Sequence, residues 1–261
     1  MHCHICENET SEFVRGLVLE KYDVQYYRCP SCGFVQTESP YWLEEAYSSA
    51  ITNTDIGPVN RMMDTATKTS AIILSFFDAH GKFVDYGGGY GIYVRRMRDI
   101  GFNYFYYDKY CENLFASGYE VDTADDAYEL ATAFEVIEHM PNPLDGMREV
   151  MRFSKSVFFS TELLPPDCPK PGEWWYYGPE HGQHISFFSN KSLNELASRL
   201  GVHLYTYGSF HLMTKKRISP KLYRLVLEQR LSAPVAYLLA KYRKIDSLLQ
   251  RDWQRLLASG K

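Results

Sequence analysis

Residues 83–91 read FVDYGGGYG, and this stretch decides the fold. It begins as a short apolar run that contains one aspartate, which is typical of a strand buried in a sheet. The glycines that follow let the backbone turn sharply and approach a ligand closely at the carboxyl end of a parallel strand. The stretch therefore predicts an α/β fold with a ligand-binding turn.

A helix and a second strand follow this turn. Residues 92–100 have apolar side chains at helical spacing and end at Gly101, and residues 104–107 read YFYY and end at Asp108. In nucleotide-binding folds, an acidic residue about 20 positions beyond the turn accepts hydrogen bonds from the ribose hydroxyls. Asp108 lies 17 residues after Gly91, so the pattern predicts a ligand that carries a ribose.

Two motifs distinguish among such ligands. The turn has the pattern Asp-x-Gly-x-Gly-x-Gly over residues 85–91, whereas nicotinamide-dependent enzymes carry Gly-x-Gly-x-x-Gly. Residues 131–140 read ATAFEVIEHM, an apolar strand that ends in Glu-x-x-Glu-His. In this order the motifs resemble those of class I S-adenosylmethionine (SAM)-dependent methyltransferases, and the resemblance covers about residues 60–210.

The resemblance implies a fold, a cofactor and a reaction class. The α/β fold would be a Rossmann-like, mostly parallel sheet that ends in an antiparallel strand within residues 202–213. The cofactor would be SAM, and the reaction a methyl transfer. The implied cofactor-binding residues are Asp85, Gly87, Gly89, Gly91, Asp108, Phe134 and Glu135.

Four cysteines near the N-terminus occur in two Cys-x-x-Cys pairs: Cys3, Cys6, Cys29 and Cys32. Two such pairs on tight turns can close a tetrahedral zinc site. Disulfides and a redox-active pair are the alternatives, but no export signal is visible and a redox pair would not occur twice. With short strands predicted at 13–20 and 23–28, the pattern predicts a zinc ribbon with a closed, structural Zn²⁺ site.

Candidate catalytic residues occur in two segments. The first is the strand end with Glu138 and His139, and the second is the segment 179–189, PEHGQHISFFS, with His181 and His184. Imidazole titrates near neutrality, so His184 or His181 could take the proton of a hydroxyl acceptor. Alternatively, the Glu-His pair caps the strand and shapes the SAM pocket, and the downstream histidines are held in the loop by hydrogen bonds.

A metal-assisted mechanism is a further alternative. The Glu-x-x-Glu-His spacing is also similar to that of small-RNA 2′-O-methyltransferases, in which two glutamates and two histidines surround Mg²⁺. This similarity implies an Mg²⁺ site at Glu135, Glu138 and His139, joined by His181 or His184. Because Mg²⁺ prefers oxygen and water ligands, the histidines weigh against this interpretation.

The acceptor is predicted from resemblance alone. Segment 179–189 resembles the corresponding segment of bacterial methyltransferases of sugar and glycan biosynthesis, and a zinc ribbon before a SAM domain resembles sugar methyltransferases. The aromatic run WWYY at 174–177 suits a polyhydroxylated acceptor or a hydrophobic lid. We therefore expect O-methylation of a sugar or glycan precursor. The alternatives are sugar C-methylation, metal-assisted RNA 2′-O-methylation and a non-catalytic SAM-fold binding protein.

Charge is distributed unevenly along the chain. Residues 211–261 hold 12 lysines and arginines against 3 acidic residues, whereas the first 210 residues hold 16 against 29. The basic tail, with interleaved leucines, predicts contact with an anionic substrate or a membrane surface, or simple packing on an acidic body. Nucleic acid is less favoured because the ribbon is acidic. With no secretory signal and no apolar run of about 18 residues, we expect a cytoplasmic protein.

The sequence thus predicts four segments. These are the zinc ribbon at 1–40, a helical linker and cap at 41–80, the SAM-binding methyltransferase domain at 81–213, and a basic helical tail at 214–261. No pattern in the sequence indicates the oligomeric state.

Overall fold

The computed structural model describes residues 1–47, 57–121 and 127–259. The strands in these ranges are β1 (Ser11–Val18), β2 (Tyr22–Arg28), β3 (Val35–Thr37), β4 (Lys82–Tyr86), β5 (Asn103–Tyr107), β6 (Leu130–Phe134), β7 (Ser156–Ser160), β8 (Ser186–Phe187), β9 (His203–Tyr207) and β10 (Phe210–Thr214). The helices are α1 (Leu43–Ala46), α2 (Pro58–Phe76), α3 (Ile92–Ile100), α4 (Pro143–Val150), α5 (Asn190–Leu200), α6 (Pro220–Leu227), α7 (Gln229–Tyr242) and α8 (Leu249–Ser259).

Two sheets organise the chain. Six strands form the larger sheet in the order β5-β4-β6-β7-β10-β9, and four form the smaller one in the order β1-β2-β3-β8. In the larger sheet β4 pairs in parallel with β5 and β6, and β9 pairs antiparallel with β10. The predicted fold class is therefore confirmed: a mostly parallel Rossmann-like sheet with an antiparallel end, an N-terminal four-cysteine module and C-terminal helices.

The chain divides into two compact units. The first unit comprises Met1–Asn53, Phe134–Glu149 and Phe159–Lys215, and the second comprises Thr54–Ala133, Val150–Phe158 and Lys216–Lys261. These units group neighbouring residues and do not test the domain boundaries predicted from the sequence, which stay a prediction.

The second unit contains the glycine turn. Phe83 and Val84 of β4 are fully buried between neighbouring strands, as the apolar run predicts. Helix α3 begins after Gly91 and ends at Gly101, where φ is +129°, a backbone angle that favours glycine. Helices α6 and α7 both pack against α2, so part of the predicted tail belongs to the packed body of this unit.

The first unit contains the cysteines and the histidine segment. Its aromatic core includes Tyr26 of β2, Trp42, and the rings of Tyr176 and Tyr177. The short strand β8 joins the N-terminal strands by pairing antiparallel with β3. The two strands predicted at 13–20 and 23–28 are present as β1 and β2 with shifted ends. None of the described helices has both the length and the hydropathy needed to cross a membrane.

Candidate functional site: a glycine turn and a carboxylate–imidazole cluster

The glycine turn after β4 adopts backbone angles that only glycine accepts readily. The angle φ is +73° at Gly87, +54° at Gly89 and +83° at Gly91, a region that costs other residues roughly 1–2 kcal/mol. A Cβ atom on Gly88 would come within 2.7 Å of the Tyr106 ring, whereas one on Gly89 would meet nothing within 4 Å. The turn is therefore closed against β5 and open at Gly89, as a cradle for a nucleotide-like ligand must be.

Asp85 lies at the end of β4 with only 4% of its surface exposed. Its Oδ1 accepts a hydrogen bond of 2.7 Å from the Thr132 hydroxyl on β6. Burial raises the pKa of Asp85 to about 7; the Thr132 hydrogen bond opposes this shift, and the charge of Asp108 adds to it. The carboxyl therefore titrates near neutral pH. A nearby ammonium group would stabilise its charged form and lower this pKa.

Asp108 fastens the loop after β5 to the glycine turn. Its Oδ2 accepts a hydrogen bond of 2.9 Å from the Gly89 amide. Its Oδ1 accepts hydrogen bonds from the amides of Tyr110 and Cys111, at 2.7 and 2.9 Å. Because a carboxylate offers about four acceptor positions, capacity remains for a ribose hydroxyl. The residues of the turn and the second strand end thus fit SAM, and their individual contacts with it stay a prediction.

Glu138 is a fully buried carboxylic acid in the first unit. It lies in a single 3-10 turn, Ile137–His139, that follows β6. The Tyr176 hydroxyl donates to its Oε1 at 2.6 Å, and its Oε2 has no hydrogen-bond partner among the described residues. Burial, and then the charge of Glu135, raise the pKa of Glu138 well above its usual value. The site therefore favours the protonated acid and leaves one oxygen available for a ligand.

Two histidine rings lie beside this carboxyl. The ligand atoms of Glu138, His139 and His184 all lie within 4.8 Å of one another, and we call these three residues the carboxylate–imidazole cluster. The Nδ1–H of His184 donates to the Tyr176 carbonyl at 2.6 Å, so its lone pair is on Nε2. Burial lowers the pKa of His184 to about 4 and that of His139 well below its usual value. Both rings are therefore neutral at neutral pH.

His181 lies next to this cluster without joining it. Its ring centroid is 4.8 Å from that of His184, and its Nδ1 accepts a hydrogen bond of 3.2 Å from the Gln183 amide. The ring packs over Gly178, whose φ of +52° also favours glycine. Of the two downstream histidines, the structure therefore brings His184 to Glu138.

Phe134 and Glu135, predicted from the sequence to contact SAM, belong to the first unit. Phe134 packs edge-to-face against Phe210, with ring centroids 6.4 Å apart. Glu135 is exposed, and its Oε1 accepts a hydrogen bond of 2.5 Å from the Ser160 hydroxyl. Glu135 is not among the three residues whose ligand atoms all lie within 4.8 Å of one another, but its Oε2 accepts a hydrogen bond of 3.3 Å from the Tyr176 hydroxyl that also binds Glu138. The SAM contacts of both residues stay a prediction.

The four N-terminal cysteines converge on one point. The Sγ atoms of Cys3 and Cys32 are 3.6 Å apart, those of Cys6 and Cys29 are 3.4 Å apart, and all four lie within 4.8 Å of one another. All four are free thiols. A tetrahedral site with Zn–S bonds of about 2.3 Å would place its sulfurs about 3.8 Å apart. The cluster has the spacing of such a site.

Helix α1, its preceding residue Trp42 and the N-terminal sheet hold the histidine segment in place. The Trp42 indole donates to the Gly182 carbonyl at 2.8 Å, and the Gln183 side chain donates to the Ala46 carbonyl at 2.8 Å. Two residues after His184, β8 begins and pairs with β3. The residues just before and just after His184 are thus both held in place, and this positions the His184 ring.

Sequence reasoning missed two residues that shape these sites. Thr132 places a hydroxyl group within the otherwise apolar strand β6. This polar position in an apolar strand is the signal that indicates a buried partner such as Asp85. Tyr176 lies in the aromatic run 174–177, and its hydroxyl contacts Glu138 while its carbonyl orients His184. No local pattern separates Tyr176 from its aromatic neighbours.

The family follows from a direct match. A methyltransferase-domain family model matches residues 60–206, more than half of the chain, and the match spans both the glycine turn and the carboxylate–imidazole cluster. The chain belongs to this family, and with its glycine turn it is a SAM-dependent methyltransferase. No curated protein matches the chain in sequence.

Several solved structures are similar at the level of the fold. A Bacillus halodurans C-125 protein described as a methyltransferase is 12% identical, with 53% of this chain and 70% of the other covered and a TM-score of 0.40. A chain from the Haloferax volcanii complex of the activator Trm112 with a methyltransferase is 12% identical, with 68% of this chain and 97% of the other covered and a TM-score of 0.45. A Thermotoga maritima SAM-dependent methyltransferase is 17% identical, with 61% of this chain and 92% of the other covered and a TM-score of 0.40. Similarity at this level does not identify an acceptor.

Proposed function

We propose that the protein transfers a methyl group from SAM to a hydroxyl group of a sugar or glycan precursor. Bound SAM supplies an activated methyl group on a sulfonium. The acceptor hydroxyl must lose a proton as the C–O bond forms and the C–S bond breaks, so a group that is unprotonated at working pH must accept that proton. The observation that carries the proposal is the neutral His184 with its lone pair on Nε2.

The surroundings of His184 suit the role of general base. Its Nδ1–H is held by the Tyr176 carbonyl, which fixes both the tautomer and the ring orientation. The Tyr176 hydroxyl also holds Glu138, so one tyrosine orders the acid and the imidazole together. In this proposal Nε2 of His184 takes the hydroxyl proton, while Glu138 and His139 bind and orient the acceptor.

The aromatic run supports a sugar as the acceptor. The Trp175 side chain is 73% exposed, while its neighbours Tyr176 and Tyr177 are buried in the aromatic core. An exposed indole supported by buried rings can stack on the apolar face of a sugar ring. The carboxylate–imidazole cluster can then form hydrogen bonds with the hydroxyl groups of the sugar.

We further propose that the four cysteines bind Zn²⁺ as a structural ion. The spacing of the sulfurs, the burial of Cys3, Cys29 and Cys32, and the free state of all four thiols support this assignment. With four thiolate ligands the ion has no open position for water, so it would stabilise the module rather than take part in chemistry. Metal analysis of the purified protein, with Cys32→Ser as the variant that should lose the ion, tests the assignment.

A second candidate function is metal-assisted 2′-O-methylation of RNA. It is favoured by the unpartnered Oε2 of Glu138 beside two neutral imidazoles. The predicted Mg²⁺ set of Glu135, Glu138 and His139 fits poorly, because Glu135 lies outside the cluster and two imidazoles with one carboxylate suit a transition metal better than Mg²⁺. Loss of activity in a chelator, with recovery on adding Mn²⁺ but not Mg²⁺, would support a metal here.

The acceptor is tested with a panel. Labelled SAM is incubated with nucleotide sugars, free glycans and short RNAs, and product is measured with and without chelator. We expect transfer to a sugar that resists a brief, mild chelator treatment, one that leaves the four-cysteine zinc in place. We also expect a kcat lowered on the order of 10²–10⁴-fold in His184→Gln with SAM affinity unchanged. His203→Gln, at an exposed histidine of β9, is the matched control and should keep full activity. Full activity in His184→Gln would remove that residue as the base, and transfer only to RNA would overturn the sugar assignment.

A further inference from the structure

Helix α7 carries its large apolar side chains outward. Tyr237, Leu238 and Tyr242 are 67%, 64% and 84% exposed, whereas the buried positions of this helix are the small residues Ser232 and Ala236. A surface helix normally buries its apolar stripe and exposes its polar one. Helix α7 has an inward apolar stripe that includes the half-buried Val235 and Leu239, and it exposes a second set of large apolar side chains on its outward side.

Helix α6 continues this surface. It buries Tyr223, Val226 and Leu227 and exposes Leu222 and Leu225, which are three positions apart and share a face. Helices α6 and α7 contact each other and both pack against α2, so they form one layer within the second unit. The exposed large apolar residues of this layer are Leu222, Leu225, Leu231, Tyr237, Leu238 and Tyr242.

The same layer is strongly basic. Its exposed cationic residues are Lys221, Arg224, Arg230, Lys241 and Lys244. Between residues 215 and 245 the single acidic residue is Glu228, and it is half-buried. The layer therefore combines exposed leucines and tyrosines with an excess of positive charge, which the exposed Asp246, two residues after Lys244, offsets only in part.

We propose that the outward face of α6 and α7 docks on an anionic membrane surface. Helices with leucine and aromatic residues among lysines and arginines lie in the lipid interface, where tyrosine sits at the level of the headgroups. A second copy would bring two basic faces together, which like charges oppose. RNA would use the arginines and stack on the tyrosines, but exposed leucines gain nothing from it. The charge and the leucines together select the lipid surface.

Vesicle binding tests this face directly. The 261-residue chain is sedimented with vesicles of phosphatidylcholine alone and with phosphatidylserine added, at two salt concentrations. We expect binding only to the anionic vesicles, weaker at high salt. The variant Arg230→Gln/Lys241→Gln should bind roughly 30-fold more weakly, from the usual contribution of two basic residues. Tyr237→Ser/Leu238→Ser should also bind more weakly. All four positions are exposed, so circular dichroism should be unchanged.

Matched controls use exposed residues elsewhere. Lys191→Gln on α5 and Leu17→Ser on β1 remove a charge and an apolar side chain outside the layer and should leave vesicle binding intact. Equal binding to neutral and anionic vesicles, or no binding to either, would overturn the proposal. It would likewise be overturned by short RNA that binds through the same two basic residues in place of vesicles, or by a dimer that Tyr237→Ser/Leu238→Ser dissociates without any vesicle binding.

Discussion

At Glu135 the chain holds a glutamate in a backbone conformation that favours glycine. Its φ is +52°, directly after β6, and its side chain and amide both engage Ser160, with the amide donating to the hydroxyl at 3.0 Å. Non-glycine residues with such angles occur often at functional sites, where surrounding structure holds them in place. The two hydrogen bonds to Ser160 hold Glu135 in this strained conformation.

Two substitutions at Glu135 separate backbone strain from side-chain loss. Both Glu135→Gly and Glu135→Ala remove the carboxylate, but only glycine relieves the left-handed angle. We expect the glycine variant to be more stable than the alanine variant by about 1 kcal/mol, measured by urea unfolding. At Glu195, inside α5, the same pair should give the opposite order, because glycine weakens a helix interior. Equal stability of the two Glu135 variants would contradict the strain.

Asp85 makes stability depend on pH in a predictable direction. Its folded pKa of about 7 lies above the unfolded value of about 3.9. Between these values the folded state holds more protons than the unfolded state, so stability falls as pH rises toward 7 and then levels off. The slope is at most about 1.4 kcal/mol per pH unit.

The measurement is a comparison with Asp85→Asn. The stability of the wild type relative to this variant should fall by up to roughly 3 kcal/mol between pH 5 and pH 8, in urea titrations at each pH. Because the variant shares the other titrating groups, their contributions largely cancel. A constant difference across this range would show that Asp85 keeps its charge when buried.

At the scale of elements, β8 is the strand that connects the cysteine module to the segment that contains His184. It contains two residues, both fully buried, and it extends the N-terminal sheet from within the histidine segment, two residues after His184. The Ser189 hydroxyl also donates to the Cys32 carbonyl at 3.0 Å, so one of the cysteine turns is tied directly to the residues beyond β8. We infer that the module positions His184, a consequence that adds to its proposed zinc binding.

Removing the zinc should therefore affect the two sites differently. In Cys32→Ser, or after extraction of zinc, we expect methyl transfer to fall at least tenfold because the His184 segment loses its support. SAM affinity, measured by calorimetry, should stay within about threefold, since the glycine turn is held by β4, β5 and α3 of the second unit. Ser189→Ala, which keeps all four cysteines, should show a smaller loss of activity. Loss of SAM binding together with activity would indicate general unfolding and contradict the positioning role.

The elements that could be predicted from the sequence are those encoded locally. The glycine turn, α3 and the strands β4, β5 and β6 follow from patterns within a few residues, and the structure confirms them. The pairing of β3 with β8 could not be predicted, because β8 has only two residues and its partner is far away in the sequence. The distinction between His181 and His184 also depends on tertiary structure, since the Tyr176 carbonyl and Glu138 select His184.

At the scale of the whole molecule, a buried ion pair joins segments that the sequence separates widely. Arg98 of α3 and Asp252 of α8 are 154 positions apart and are both almost fully buried. The guanidinium donates two hydrogen bonds to the carboxylate, at 2.7 and 2.8 Å, and another of 2.7 Å to the Tyr104 carbonyl. Although burial opposes it, Arg98 keeps the pKa of Asp252 below its usual value. Asp252 of α8 thus anchors the basic C-terminal segment to α3.

Breaking this pair should release α8 at a large cost in stability. Asp252→Ala leaves a buried guanidinium without its partner, and such losses cost about 3–5 kcal/mol. The double variant Arg98→Met/Asp252→Leu should recover part of that loss, because it replaces both buried charges with apolar side chains, while Arg95, which also contacts Asp252, keeps its pair with Asp99. Asp23→Ala, which breaks an exposed pair with Arg15, should cost less than about 1 kcal/mol. Urea unfolding measures all three, and an Asp252→Ala variant as stable as Asp23→Ala would show that apolar packing alone, through residues such as Leu248 and Leu256, holds α8 in place.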